Sequence, residues 1–256
     1  MGAVHMSEAL QLIGFDGDDT LWRSEDYYRD AQHAFERIVG GYVDLDDVHD
    51  LLYAVEKRNL ALFGYGVKGM TLSMIEAAVA ITDARISAQD LHRIIELGKS
   101  LLQHPVELLP GIREAVEEIA QQHPVVLITK GDLFHQEAKV RASGLSNLFR
   151  RIEIVSEKDT ATYTRLLTEF SLAPHQFAMI GNSLRSDIVP VLALGGCGVH
   201  MPYHVTWTHE TETAPLAATE RLRSVHGASE LPAAVRSFAC SAHLRGAIGG
   251  DQLSAE

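Results

Sequence analysis

Cysteine is scarce in this chain: Cys197 and Cys240 are the only two in 256 residues. Their spacing matches no metal-ligand motif and one pair makes no disulfide framework, so a reducing, cytoplasmic setting is expected. Positive charge is also short. With 22 Lys and Arg against 34 Asp and Glu, the net charge is −12 and the pI about 5.5. Such a chain is no general partner for nucleic acid or an anionic membrane, although local cations or a bound metal can reverse the field in one pocket. No apolar run reaches the length that crosses a bilayer, and no signal-peptide pattern opens the sequence. Internal repeats and low-complexity tracts are absent too. Met1 to Met6 stand apart from the fold reading, and the last ten residues, rich in Gly, Ser and Ala, read as a frayed tail.

What is present is concentrated near the start. Leu12-Ile13-Gly14-Phe15 reads as a buried strand, followed by Asp16-Gly17-Asp18-Asp19-Thr20. Residues at i and i+2 of a strand point the same way, so Asp16 and Asp18 can aim into one pocket. Two carboxylates that close resist joint ionisation unless a cation or a proton offsets them. The pattern suggests a divalent metal, a carboxylate nucleophile and a second carboxyl able to carry a proton. An acidic turn after a strand is the plainer alternative.

A long helical stretch follows. Glu25 to about Val39 ends at Gly40-Gly41, Asp44 to about Phe63 follows, then Leu72 to Thr82 and Ser87 to Leu102. Ser87 and Asp90 resemble a capping pair. Gly64 to Gly69 breaks the second helix from the third, while Met70 and Met74 share a helix face and read as core. From Pro110 strands and helices alternate. Strands are expected at Val125 to Ile128, Ile152 to Val155, Phe177 to Ile180, near Val199 and around Arg221 to Val225, with a helix over Ser186 to Leu194 and a last helix from about Leu231. Alternation of this kind predicts an α/β fold with a parallel sheet flanked by helices, a Rossmann-like core spanning 7–22 and 106–248. Residues 23–105 form a small all-α helical bundle inserted after the first strand.

Ligands of open parallel sheets bind beyond the carboxyl ends of the strands. There the sequence places Asp16 and Asp18, then Thr129-Lys130, then Lys158, and finally Gly181-Asn182-Ser183-Leu184-Arg185-Ser186-Asp187. A hydroxyl, lysines and a second metal-compatible pair share one rim.

In these residues the chain resembles the haloacid dehalogenase superfamily, with a helical cap after the Asp-x-Asp-x-Thr motif. The resemblance implies that Asp16 attacks phosphorus and becomes an aspartyl-phosphate, and that Asp18 protonates the leaving oxygen and then activates water. It implies that Thr129 binds the phosphoryl oxygens and Lys158 neutralises them, with Lys130 as the rival for that role. Mg²⁺ would sit on Asp16, the Asp18 carbonyl and the motif of Asn182 and Asp187. The family usually has an acid where this chain has Asn182, so Asp187 is left to supply the charge. Lys68 and Tyr65 of the glycine-rich loop either read the leaving group or simply join two helices. His200, Tyr203, His204, Trp207 and His209 match no metal site and read as loop residues or a packed flap. The implied activity is hydrolysis of a small phosphorylated metabolite. Dehalogenation, a phosphomutase-type transfer and a catalytically silent binding protein are the alternatives.

Overall fold

The computed structural model describes residues 9–44, 46–205, 210 and 219–238. Met1 to Met6, Trp207, His209, Cys240 and the tail lie outside the described residues. Among the described residues six strands form one sheet: β1 (Leu12–Phe15), β2 (Val125–Lys130), β3 (Arg151–Val155), β4 (Phe177–Gly181), β5 (Cys197–His200) and β6 (Leu222–Ser224). They run in the order β3-β2-β1-β4-β5-β6, and every neighbouring pair is parallel. β1 and β4 are buried along their whole length, which explains their unbroken apolar runs. Alternate side chains feed two separate cores. Ile13, Phe15 and Leu127 face one side with Ile112 and Val116 of α5 (Ile112–Ala120). Leu12, Val126 and Ile128 face the other with Tyr163 and Leu166 of α7 (Thr160–Glu169). α6 (Leu133–Ser143) and α8 (Val189–Leu194) complete the cover, and no described helix is long and apolar enough to cross a membrane.

Between β1 and α5 stand α1 (Glu25–Val39), α2 (Val48–Phe63), α3 (Val67–Ile81) and α4 (Ala88–Leu102). These four helices bury a third core of their own around Phe35, Leu52, Met74 and Ile94, with Met70 beside it as its spacing predicts. Ser87 caps α4 by accepting the Asp90 N–H. The chain enters and leaves this bundle at one place. Trp22 pairs antiparallel with Leu108, the Arg23 N–H donates to Glu107 O at 3.0 Å, and the Leu109 N–H donates to Leu21 O at 2.9 Å.

Three boundaries differ from the sequence reading by more than two residues, the first being α2, which begins at Val48 rather than Asp44. α3 begins at Val67 rather than Leu72, so the break is only Gly64 to Gly66 and Lys68 lies in the first helical turn. Gly69 is a packing glycine, not a breaker: a Cβ there would come within 2.8 Å of Gly64 O and 3.2 Å of Phe63 Cβ. After β4 the chain takes a π turn over Leu184–Ile188 before α8, where plain helix from Ser186 was expected. Such turns insert one extra residue per hydrogen-bonded ring and recur at functional sites.

Candidate active site

Asp16 follows β1 directly, its N–H held by Ile180 O at 2.9 Å, and its side chain is buried. The backbone then passes through a slot that only glycine fits. A Cβ on Gly17 would lie 2.9 Å from Trp22 Cζ2 and 3.1 Å from Thr129 Oγ1. That close approach brings buried Thr129, at the end of β2, against the acidic pair. Thr20 Oγ1 donates to Asp16 Oδ2 at 2.9 Å and accepts the Asn182 N–H at 3.0 Å.

Asp16 carries its counter-charge in Lys158, just ahead of α7. Lys158 Nζ lies 2.5 Å from Asp16 Oδ1 and 2.7 Å from Asp187 Oδ1, all three side chains being buried. Burial alone would release the lysine proton, but the two carboxylates outweigh it and hold the ammonium well above its ordinary range. Burial pushes Asp187 the other way for an acid, up to about 7, with Asp16 adding repulsion and Lys158 opposing both. The π turn is what returns Asp187 to the strand end, where its Oδ2 accepts the Ser183 N–H at 3.0 Å.

Asp18 sits among three donors. Trp22 Nε1 lies at 2.6 Å, Gln136 Nε2 at 2.8 Å and Lys139 Nζ at 2.5 Å. Burial disfavours its charge, yet the Lys139 ammonium and these hydrogen bonds prevail and keep its carboxyl below the usual value.

The other two lysines are committed elsewhere. Lys130 Nζ donates to Ser186 Oγ at 2.9 Å, pairs with Glu210 and stands 4.3 Å from the Tyr65 ring centroid. Burial would raise the Glu210 carboxyl, but Lys130 and the Ser183 and Ser186 hydroxyls hold it at about 2. Lys68 does not line the cleft: it is half exposed, bonded to both Asp132 oxygens at 3.0 Å and set over the Phe134 ring. Its place in the first turn of α3 points it at the cap–core rim. Tyr65 does line the cleft, and its hydroxyl donates to Glu157 Oε2 at 2.6 Å. Of the later histidines, His200 Nε2 donates to Asn182 O at 3.0 Å, and His204 binds Asp26 beside the Tyr203 hydroxyl.

Asp16, Asp18, Thr129, Lys158, Asn182 and Asp187 all line one cleft of about 170 Å³ between the strand ends and the cap. On the same kind of measure, an engineered cavity of roughly 150 Å³ admits benzene, so the cleft suits a small metabolite. Among the described residues no three His, Cys, Asp or Glu side chains form a metal cage. Magnesium requires none, because it keeps several waters and takes oxygen donors. The donors fit it: Asp16 Oδ2 and Asn182 Oδ1 lie 2.9 and 3.2 Å from Thr20 Oγ1, whose single proton can serve only one of them. An all-oxygen set of this kind suits a hard cation rather than zinc.

Several site residues escaped the sequence. Trp22 is four residues past Asp18, but nothing marks an indole as its partner. Gln136 and Lys139 share a face of α6 through their i,i+3 spacing, a signal no different from that of a solvated helix. Glu210 carries none.

The family model described as haloacid dehalogenase-like hydrolase matches residues 10–195. A haloacid dehalogenase-like family hydrolase from Xanthomonas campestris is 56% identical, with a TM-score of 0.83 over 93% of this chain and 95% of that one. The 2-haloacid dehalogenase of Pseudomonas syringae pv. Tomato DC3000 is 17% identical, with a TM-score of 0.61 over 90% and 99%. YfnB of Bacillus subtilis, a candidate HAD-hydrolase solved with magnesium, is 15% identical, with a TM-score of 0.60 over 89% and 99%. The last two speak to the fold alone, and no curated protein matches. From the Asp16 motif through to the Asn182–Asp187 turn, sheet order, matched residues and close relative agree: the chain belongs to the haloacid dehalogenase-like hydrolases.

Proposed function

We propose that the protein is a magnesium-dependent phosphatase of a small phosphorylated metabolite, acting in a reducing, cytoplasmic setting. The observation that carries this reading is Asp18, held by Trp22, Gln136 and Lys139 two residues from Asp16. Expelling an alkoxide needs a proton donor at the leaving oxygen; displacing halide from carbon does not. Fold cannot make this choice, since dehalogenases share it.

In this reading Asp16 Oδ attacks phosphorus as the P–O bond to the leaving group breaks, and Asp18 gives that oxygen its proton. The arriving phosphate dianion beside Asp18 raises its proton affinity, which readies a carboxyl that Lys139 otherwise keeps ionised. Asp18 then takes a proton from water, the water oxygen attacks the aspartyl-phosphate, and inorganic phosphate leaves with Asp16 restored. Lys158 holds Asp16 and meets the phosphoryl charge, and Thr129 bonds a phosphoryl oxygen. Asp16, the Asp18 carbonyl, Asn182 and Asp187 would hold Mg²⁺, whose positive charge offsets that of the phosphoryl group. Lys130, bound to Glu210, shapes the rim.

The test is release of phosphate from an aryl phosphate with and without Mg²⁺, alongside halide release from a 2-haloacid. Metal-dependent phosphate release is expected; halide release without it would overturn the reading in favour of dehalogenation.

A further inference from the structure

The cleft extends past the reacting groups into the cap, where its lining changes character. Glu56 of α2 faces it, 7% exposed, and its Oε1 has no hydrogen-bond partner. Gln32 bonds the Glu56 carboxyl from α1. One turn along α2, buried Asn59 lines the same end, its Nδ2 donating to Ser73 Oγ at 3.2 Å and Glu76 Oε2 at 2.6 Å. On the core side, Gln136 Oε1 is likewise buried without a partner. Its orientation is fixed, because the Nε2 end meets two acceptors, Asp18 Oδ2 at 2.8 Å and Lys130 O at 3.0 Å. Two orphaned oxygens thus line one cleft; that of Gln136 is an acceptor, and that of Glu56 accepts once a bound donor draws its carboxyl into the ionised form. Leaving a buried acceptor unmet is costly, about 1–3 kcal/mol and more when it is charged. A ligand that brings donors removes that penalty.

Charge sharpens the inference. The only Lys or Arg side chains among the described lining residues are Lys130 and Lys158, and both are bound to carboxylates. The cap end adds Glu25 and Glu56 and no cation. A second phosphate or a carboxylate on the substrate would find acids there and no free partner.

We propose, resting on the phosphatase reading, that Glu56 and Gln136 select the leaving group by its hydrogen-bond donors. The substrate is then a phosphate monoester of an amino alcohol or a polyol, with no second anionic group.

The chain, with Mg²⁺, is given phosphoethanolamine, glycerol 3-phosphate, propyl phosphate, phosphoglycolate and an aryl phosphate. In kcat/KM, one of the first two should exceed propyl phosphate by about 10- to 100-fold, the range of a hydrogen bond to a charged group. Phosphoglycolate should rank last. The better of the two identifies ammonium or hydroxyl as the donor. In Glu56→Gln the preference over propyl phosphate should fall by about tenfold, since the amide is a weaker acceptor. The wild-type ranking stands as a test even if that variant does not fold. Aryl phosphate turnover with no preference for donors, or with phosphoglycolate preferred, overturns this proposal alone. No phosphate from any ester overturns the phosphatase reading and this proposal together.

Discussion

The sheet half and the helical half of the molecule are held together by different forces. Around the strand ends, charge is buried and tightly paired: Lys158 with Asp16 and Asp187, Lys139 with Asp18, Lys130 with Glu210. The four-helix insertion rests on an apolar core that shares no residue with the two cores of the sheet. Where the halves meet, the links include Tyr65 to Glu157 and Lys68 to Asp132, with Lys130 beneath the Tyr65 ring, and Tyr203 and His204 to Asp26 of α1. Polar, partly exposed seams of this kind are easily exchanged for water, whereas the pairs on the sheet are not. On the proposed reading, the reacting groups sit on the sheet half, and Glu56 faces them from the helical half across a seam that water can replace.

The largest test of that division is Asp16→Asn, which should lower kcat by at least about 10⁴-fold while costing less stability than the loss of Lys158, because Lys158 keeps Asp187 as its partner. A comparable loss from any substitution confined to the seam would erase the distinction. Chelation of divalent metal should silence the wild type as fully, with Mg²⁺ restoring turnover. Next comes Lys158→Met, which leaves two buried carboxylates facing one another. Denaturant unfolding should show a loss of about 3–5 kcal/mol, the usual result of breaking a buried pair. Added Mg²⁺ should return part of it by binding only the folded chain.

Within the cap, burial lifts the Glu56 carboxyl to about 7, against 4.5 for an ordinary glutamate, with Gln32 opposing. Between those values the folded chain keeps a proton that the unfolded chain has released, so stability falls as pH rises. Relative to wild type, Glu56→Gln should gain roughly 2–3 kcal/mol at pH 8 and little at pH 4. A variant whose stability tracks wild type at every pH would show that Glu56 ionises freely. Last and smallest, Lys68→Ala should cost under about 1 kcal/mol of stability and raise KM only a few-fold, because the Asp132 pair is half exposed.

The reactive half was the more legible of the two. A short apolar strand, two acids in alternation and a threonine announce themselves because period-2 geometry leaves them no other common direction. Helical spacing likewise marked the insertion. What could not be read were contacts that tertiary packing alone decides. Gln136 and Lys139 reach Asp18 across more than a hundred residues. Gly69 read as a breaker because the carbonyl it must clear, Gly64 O, becomes its neighbour only when α3 folds back on α2. The helix expected from Ser186 missed the π turn, since the residue types on either side of it are those of an ordinary helix.

The bridge between Trp22 and Leu108 carries one more consequence. β1 and β2 are neighbours in the sheet whatever lies between them. The insertion is therefore, in polymer terms, a loop closed at its own base. Closing a loop of some eighty residues costs only about 4 kcal/mol, and each halving of its length changes that by about 0.6. The sheet is thus nearly indifferent to how much chain is spliced in at that point. A different bundle, or a short turn, could be grafted between Trp22 and Leu108 while Asp16, Lys158 and Asp187 kept their places.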